Sequence, residues 1–274
     1  MVYAVFSNPP SIGDSAPMTR RRDHGFALLV VLWTLALLAL LGSHVTATAR
    51  NATARASAIR AGAEAQVAAE GLVRQAIFRL LDSSPRRWTA DSRPHEAHRD
   101  GRREVVTIED HAGRINPNAT PPALMAALLK QVGVADPAAA GLAQSIAEWR
   151  SYGSAQAYAA AGLSWAPPRE PFATINEMAL VRGMTPEVLD RLRPHITVYT
   201  DGRVDLGKAS ALVGQLLLSV GDSRPPPPQE STILIAEISA LATVPGGRAF
   251  RRVVVRVDPS EDETADAFHV LAWD

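Results

Sequence analysis

The chain has 274 residues, 28 Lys and Arg balanced by 28 Asp and Glu, and no cysteine. That length suits one or two domains with a sizeable core. Zero net charge removes the simplest case for a nucleic-acid binder, and the missing cysteines exclude disulfide scaffolds, thiolate metal sites and cysteine nucleophiles.

Apolar residues are concentrated near the N-terminus. Residues 26–41 read FALLVVLWTLALLALL, with Thr34 the only polar side chain. As a helix this run spans roughly 24 Å, slightly short of a ~30 Å hydrocarbon core, and the weakly polar residues 42–47 can complete a crossing. Arg20, Arg21 and Arg22 precede the run and no arginine lies within it, which puts the N-terminus in the cytoplasm and the rest outside. A cleaved secretory signal would use Ala47-Thr48-Ala49 as its small-x-small site. A twin-arginine signal fits less well, because almost no spacer separates the arginines from the apolar run. In a prepilin-type signal, cleavage falls before the run and leaves it in the mature protein.

The residues that follow favour the prepilin reading. Residues 47–81 contain no proline, only Gly62 and Gly71 as glycines, and mainly Ala, Arg, Glu, Gln and Leu. Ile59, Ala63, Val67, Glu70, Arg74 and Phe78 follow helical spacing, with a thin apolar stripe made mostly of alanine. A signal peptide has no reason to continue into thirty more residues of helix former. One helix over residues 26–81, roughly 80 Å long, is expected, and Pro85 ends it.

Here the sequence resembles a type IV pilin-like protein, and in particular a pseudopilin of the bacterial type II secretion system. The residues that carry the resemblance are the basic leader, Gly25 followed by Phe26, and the apolar stem running into a polar helix. In that family a prepilin peptidase cuts after the glycine, here Gly25, and methylates the new amino group, here that of Phe26. Most pilins have glutamate as the fifth mature residue; this sequence has Val30, and an apolar residue there is typical of the large K-type minor pseudopilin. Met18 offers an alternative start that gives an eight-residue leader, residues 18–25.

Residues 86–103 read as a solvated arginine-rich linker, and residues 104–110 alternate like a strand. Thr120 before Pro121 reads as an N-cap opening a helix to about Val132. Asp136-Pro137 repeats the device for a helix through Trp149, and residues 152–171 read as irregular. Thr174-Ile175-Asn176-Glu177 is a capping box for a short helix ending at Gly183, and Thr185-Pro186 opens another that Pro194 stops. Residues 195–199 read as a strand and 209–220 as a last helix. This helical module also resembles the K-type pseudopilin, through Gly113-Arg114-Ile115-Asn116-Pro117-Asn118, Pro171-Phe172, Asn176-Glu177 and residues 181–186. Family members often repeat the Asn-Pro-Asn turn later; residues 204–208 stand in its place here. After the Pro225–Pro228 spacer, strands are expected over residues 232–242, 248–257 and 267–273, the first two joined at Pro245-Gly246-Gly247.

The expected fold is therefore α+β: a long N-terminal helix packed on an antiparallel sheet, pilin-like, with a large inserted all-helical domain. Its parts are a leader at 1–25, stem and long helix at 26–84, a first pilin-like part at 85–112, the inserted domain at 113–222 and the closing strands at 223–274. No catalytic constellation emerges. His95 and His98 are three apart rather than four and read as a polar loop, not a zinc motif. Residues 162–166 end in Ala166 where a nucleophile elbow needs glycine. Asp258, Glu261, Asp262, Glu263 and Asp266 could hold calcium, but they match no EF-hand spacing and read more simply as a solubilising loop.

The resemblance implies a structural protein, not an enzyme and without a cofactor, at the tip of the pseudopilus, supporting protein export across the outer membrane. It implies a single inner-membrane span with a periplasmic body. The implied partners are the I-type and J-type minor pseudopilins, the major pseudopilin, prepilin peptidase, the inner-membrane assembly platform and secreted substrates. The alternative is a membrane-anchored DNA-uptake protein using a helix-hairpin-helix at residues 180–194. Residues 170–208 carry five basic against six acidic side chains, which opposes phosphate binding.

Overall fold

The computed structural model describes residues 24–151, 155–219, 233–258 and 267–274. The chain divides into two units, Met1–Ser57 and Ala58–Asp274. Helix α1 spans His24–Leu81, as expected from the proline-free run. Its residues 26–57 are exposed throughout, and Phe26–Leu81 is long and apolar enough to cross a membrane.

In the second unit α1 lies on a sheet. Ala61, Ala65, Ala69, Leu72, Val73, Ala76 and Leu80 recur at helical spacing and are buried. The sheet is an antiparallel meander of β1 (His95–Arg99), β2 (Arg102–Asp110), β3 (Leu234–Val244), β4 (Gly247–Val257) and β5 (Phe268–Trp273), in that order. Alternation sends Val106, Ile108, Ala236, Ile238, Ala240, Ala242, Val253, Val255 and Val257 to the α1 side. Alanine on both surfaces lets the backbones approach closely. At the β3–β4 turn, a Cβ on Gly247 would come within 2.6 Å of the Ala61 carbonyl oxygen.

Residues 86–103 depart from the expected linker. His95–Arg99 is a strand, joined to β2 by Asp100-Gly101, whose φ values of 51° and 73° make a tight hairpin turn. Trp88 stacks on His95 with ring centroids 4.1 Å apart, and its backbone N–H bonds the Arg79 carbonyl. Asp91 and Ser92 also pair with β2.

The helical module sits between β2 and β3, whose ends are paired through Asp110 and Ala236 although 126 positions separate them in the chain. It comprises α2 (Pro122–Gln131), α3 (Asp136–Trp149), α4 (Ala155–Ala160), a 3₁₀ segment Ile175–Leu180, α5 (Pro186–Leu192) and α6 (Ala211–Ser219) among the described residues. Its core holds large side chains, among them Met125, Leu128, Leu129, Ile146, Trp149, Tyr158, Phe172, Met178 and Leu192.

Several expectations are corrected here. Thr120 does not cap α2; its hydroxyl donates back to the Asn116 carbonyl (2.6 Å), and Pro121 holds the N-cap position. Asp136 lies inside α3, with Ala135 at the cap, and pairs with Lys130 (2.6 Å). Residues 155–160 are helical, and the capping-box segment forms a 3₁₀ helix in which Glu177 accepts from the Ala173 N–H (3.0 Å). The expected strand at 195–199 is a single parallel bridge, Ile115 to Ile196. The leader residues 1–23 and the proline spacer lie outside the described residues.

Candidate functional site

Two regions carry the functional reading: the apolar stem and the junction that fixes the helical module to the sheet.

In the stem, Gly25 and Phe26 fall in the first turn of α1. The large side chains from Phe26 to Leu41, Val30 among them, point outward around the helix and stay exposed among the described residues. Such a surface needs an apolar surrounding, either lipid or other stems. Thr34 satisfies its hydroxyl internally by donating to the Val31 carbonyl (2.8 Å), and Thr46, Thr48 and Thr53 donate to carbonyls four residues earlier. These bonds leave no hydroxyl hydrogen of the four to be desolvated alone when the helix enters an apolar medium.

The junction begins where β2 ends. Asp110 accepts from the Ala112 N–H (2.8 Å), which turns the chain out of the strand, and its other oxygen pairs with Lys208 (2.5 Å). His111 is buried, with Nδ1 2.9 Å from the Thr197 hydroxyl and Nε2 3.1 Å from the Glu237 carboxylate. Since the carboxylate accepts, Nε2 carries the proton and Nδ1 accepts from Thr197. Arg114 donates to Glu237 (2.8 Å) and Glu109 (2.6 Å), while Arg252 pairs with Glu237's other oxygen (3.1 Å). Tyr199 stacks beside His111, with ring centroids 6.2 Å apart. Gly113 is required because a Cβ there would overlap the Lys208 carbonyl.

The electrostatics follow from this packing. Burial raises the Glu237 carboxyl, but the His111 hydrogen bond and the Arg114 charge outweigh it and hold the group at about 2. Burial pushes His111 below its ordinary value, with the Glu237 hydrogen bond opposing, so the imidazole is neutral at pH 7. Every member of the cluster is engaged by another, so its chemistry is that of a fastening.

A second fastening lies inside the module. Asn118 exchanges two hydrogen bonds with the Phe172 backbone, at 2.9 and 2.8 Å, and Arg150 donates to the Asn118 and Thr120 carbonyls. The segment 113–118 and Pro171-Phe172, read from sequence as characteristic, are thus brought together. His111, Thr197 and Glu237 carry no sequence signal as a group, because 86 and 126 positions separate the partners.

His95 and His98 lie on β1, not on a loop. The segment 162–166 follows helix α4, whereas a nucleophile elbow follows a strand; the Trp165 indole donates to the Leu180 carbonyl (2.8 Å). The helix-hairpin-helix candidate is a 3₁₀ turn leading into α5, with Arg182 paired to Glu148 and Arg193 near Asp190. Among the described residues no three His, Asp or Glu side chains are grouped to hold a metal. Asp258 pairs with Arg256 (3.4 Å), and Glu261, Asp262, Glu263 and Asp266 lie outside the described residues.

A helix laid on an antiparallel meander, with a helical module inserted between two neighbouring strands, is a pilin-like fold with an additional domain. The fold is similar to a chain of the GspK-GspI-GspJ complex from the enterotoxigenic Escherichia coli type 2 secretion system, with a TM-score of 0.52 and 17% identity over 82% of this chain and 98% of that one. No curated protein matches. Residues 103–201, from β2 through the junction and most of the module, match the family described as Type II secretion system (T2SS), protein K. Over these residues the chain is similar to the protein K family of that system.

Proposed function

We propose that this protein is a K-type minor pseudopilin that caps the pseudopilus of a type II secretion system, supporting protein export, with partners of the I and J types. The match over residues 103–201 carries the reading, and the likeness to a chain of a GspK-GspI-GspJ complex supports the choice of partners. Prepilin peptidase cuts after Gly25, and Phe26 becomes the methylated N-terminus of a stem that first anchors the protein in the inner membrane, with the body periplasmic. After extraction by the assembly platform the stem packs against those of the I, J and major pseudopilins. A glutamate at the fifth mature position pairs with a neighbour's amino group in ordinary pilins. A capping subunit has no neighbour ahead, so Val30 avoids a buried unpaired carboxylate, which would cost several kcal/mol. The broad module blocks further addition and is the surface offered to secreted proteins.

One experiment tests both parts of the reading. In secreting cells the wild-type chain is expected to shorten after Gly25, Gly25→Ala to stay uncut and fail to assemble, and Val30→Glu to be cut normally but cap poorly. An uncut chain that supports secretion would overturn the processing reading. Undiminished capping by Val30→Glu would overturn the explanation of the stem.

A further inference from the structure

The sheet face opposite α1 is only partly covered by the described residues. At one end His111 and Arg114 of the junction engage Glu109 and Glu237, whereas at the other end Arg103, Thr243 and Arg248 are exposed. There the strand register aligns a rung of apolar side chains: Val105 lies opposite Leu241, and Leu241 opposite Phe250. Val105 and Leu241 are half-buried and Phe250 is 48% exposed. The neighbouring rung towards the β3–β4 turn is Arg103, Thr243 and Arg248; the one towards the junction is Thr107, Ser239 and Arg252. Arg252 stands over the Phe250 ring, its guanidinium carbon 5.4 Å from the centroid, while its Nε pairs with Glu237 (3.1 Å); Arg103 pairs with Glu96 (3.2 Å), and Arg248 is exposed. An apolar row thus runs across three strands between three arginines, with the Glu96 carboxylate at its edge.

We infer that this face docks an acidic amphipathic helix of a partner protein. Adjacent strands are about 4.8 Å apart, and side chains at i and i+4 of a helix are about 5–6 Å apart. A helix lying across the strands sets one apolar side chain on each of Val105, Leu241 and Phe250. Carboxylates along its two flanks then meet Arg103 and Arg248 on one side and Arg252 on the other. Charge complementarity selects an acidic helix over a basic one. A helix fits better than a lipid surface, because Val105 and Leu241 are half-buried and an inserted side chain reaches such positions more readily than a flat bilayer. The inference stands on this face alone and is independent of the capping role.

The test uses the full chain in detergent micelles and two fluorescent 18-residue helices with a leucine stripe, one flanked by glutamates and the other by lysines. The glutamate helix is expected to bind, with Kd rising at least tenfold for Arg248→Glu and for Phe250→Ser. Both positions are exposed, so the unfolding midpoint should hold in both variants. Equal binding of the two helices, or wild-type affinity in Arg248→Glu, would overturn the proposal. So would phosphatidylglycerol vesicles that bind with the same variant dependence while the glutamate helix does not, since the face would then belong to a membrane.

Discussion

The two cores of the second unit solve the burial problem in opposite ways. Between α1 and the sheet, alanine supplies much of the contact: Ala69 and Ala76 share a core with Ala236, Ala240 and Ala242, and Ala65 packs beside Val244 in a small adjoining cluster. In the module, Trp149, Tyr158, Phe172 and several leucines and methionines fill the core. The first core is therefore sensitive to added volume and the second to lost volume. A long helix laid on a sheet gains from the first plan, because small side chains hold a narrow layer in one register. An appended module has no such constraint and uses large residues to build a core from short helices.

The sharpest way to break this contrast is a pair of opposite substitutions. Trp149 is 3% exposed, with its ring stacked on Phe172 at 5.7 Å and on the flank of Tyr158 at 6.4 Å. Trp149→Ala should cost about 3–5 kcal/mol. Ala240→Leu forces new volume between α1 and β3 and should cost about 1–3 kcal/mol. Chemical denaturation read through tryptophan fluorescence and circular dichroism would measure both. Near-neutral outcomes at both sites would mean the two cores do not differ as their composition indicates.

Acid separates the junction from either apolar core, since neither core carries a titrating contact of this kind. Glu237 has a folded pKa of about 2, below its ordinary 4.5, so its contribution is present above pH 4.5 and is lost as the pH falls towards 2. His111 is also depressed, from 6.5; the unfolded chain takes up its proton first, so stability already declines as the pH drops below 6.5. Both shifts act in the same direction, with Glu237 supplying on the order of 3 kcal/mol at most. Unfolding midpoints from pH 7.5 to 3 should fall for the wild type and flatten below pH 4.5 for Glu237→Gln. Parallel profiles for the two proteins would show that the carboxylate is not what acid attacks.

The contrast also explains what can be read from the sequence. The long helix is legible because residues 47–81 lack proline, and β3 and β4 because runs rich in β-branched and apolar residues flank the Pro245-Gly246-Gly247 turn. β1 escapes such a reading although Asp100-Gly101 is a strong hairpin signal, since His95-Glu96-Ala97-His98-Arg99 has no apolar alternation and pairs along only one edge. Glu237 looks in sequence like an ordinary outward-facing residue of β3. Its burial comes from the module folding back over that end of the sheet, which no local pattern encodes. Residues 195–199 have strand propensity, yet tertiary packing limits them to one bridge and spends Thr197 on His111.

The smallest effect separates two local sequences that look alike. Thr120-Pro121 and Thr185-Pro186 both read as a cap followed by proline, but only Thr185 accepts a backbone N–H, that of Val188 at 3.3 Å. Thr120 is buried and donates instead to the Asn116 carbonyl, closing the turn that leads into α2. Thr185→Ala should cost about 1 kcal/mol, and Thr185→Asp should restore most of it, since a carboxylate accepts from the same N–H and suits the start of a helix. Thr120→Asp cannot donate to a carbonyl and places a charge where it is buried, so it should destabilise more than Thr120→Ser, which keeps the hydroxyl. Aspartate tolerated equally at both positions would show that the two hydroxyls play one role, and that the difference between donor and acceptor at these helix starts carries no energy.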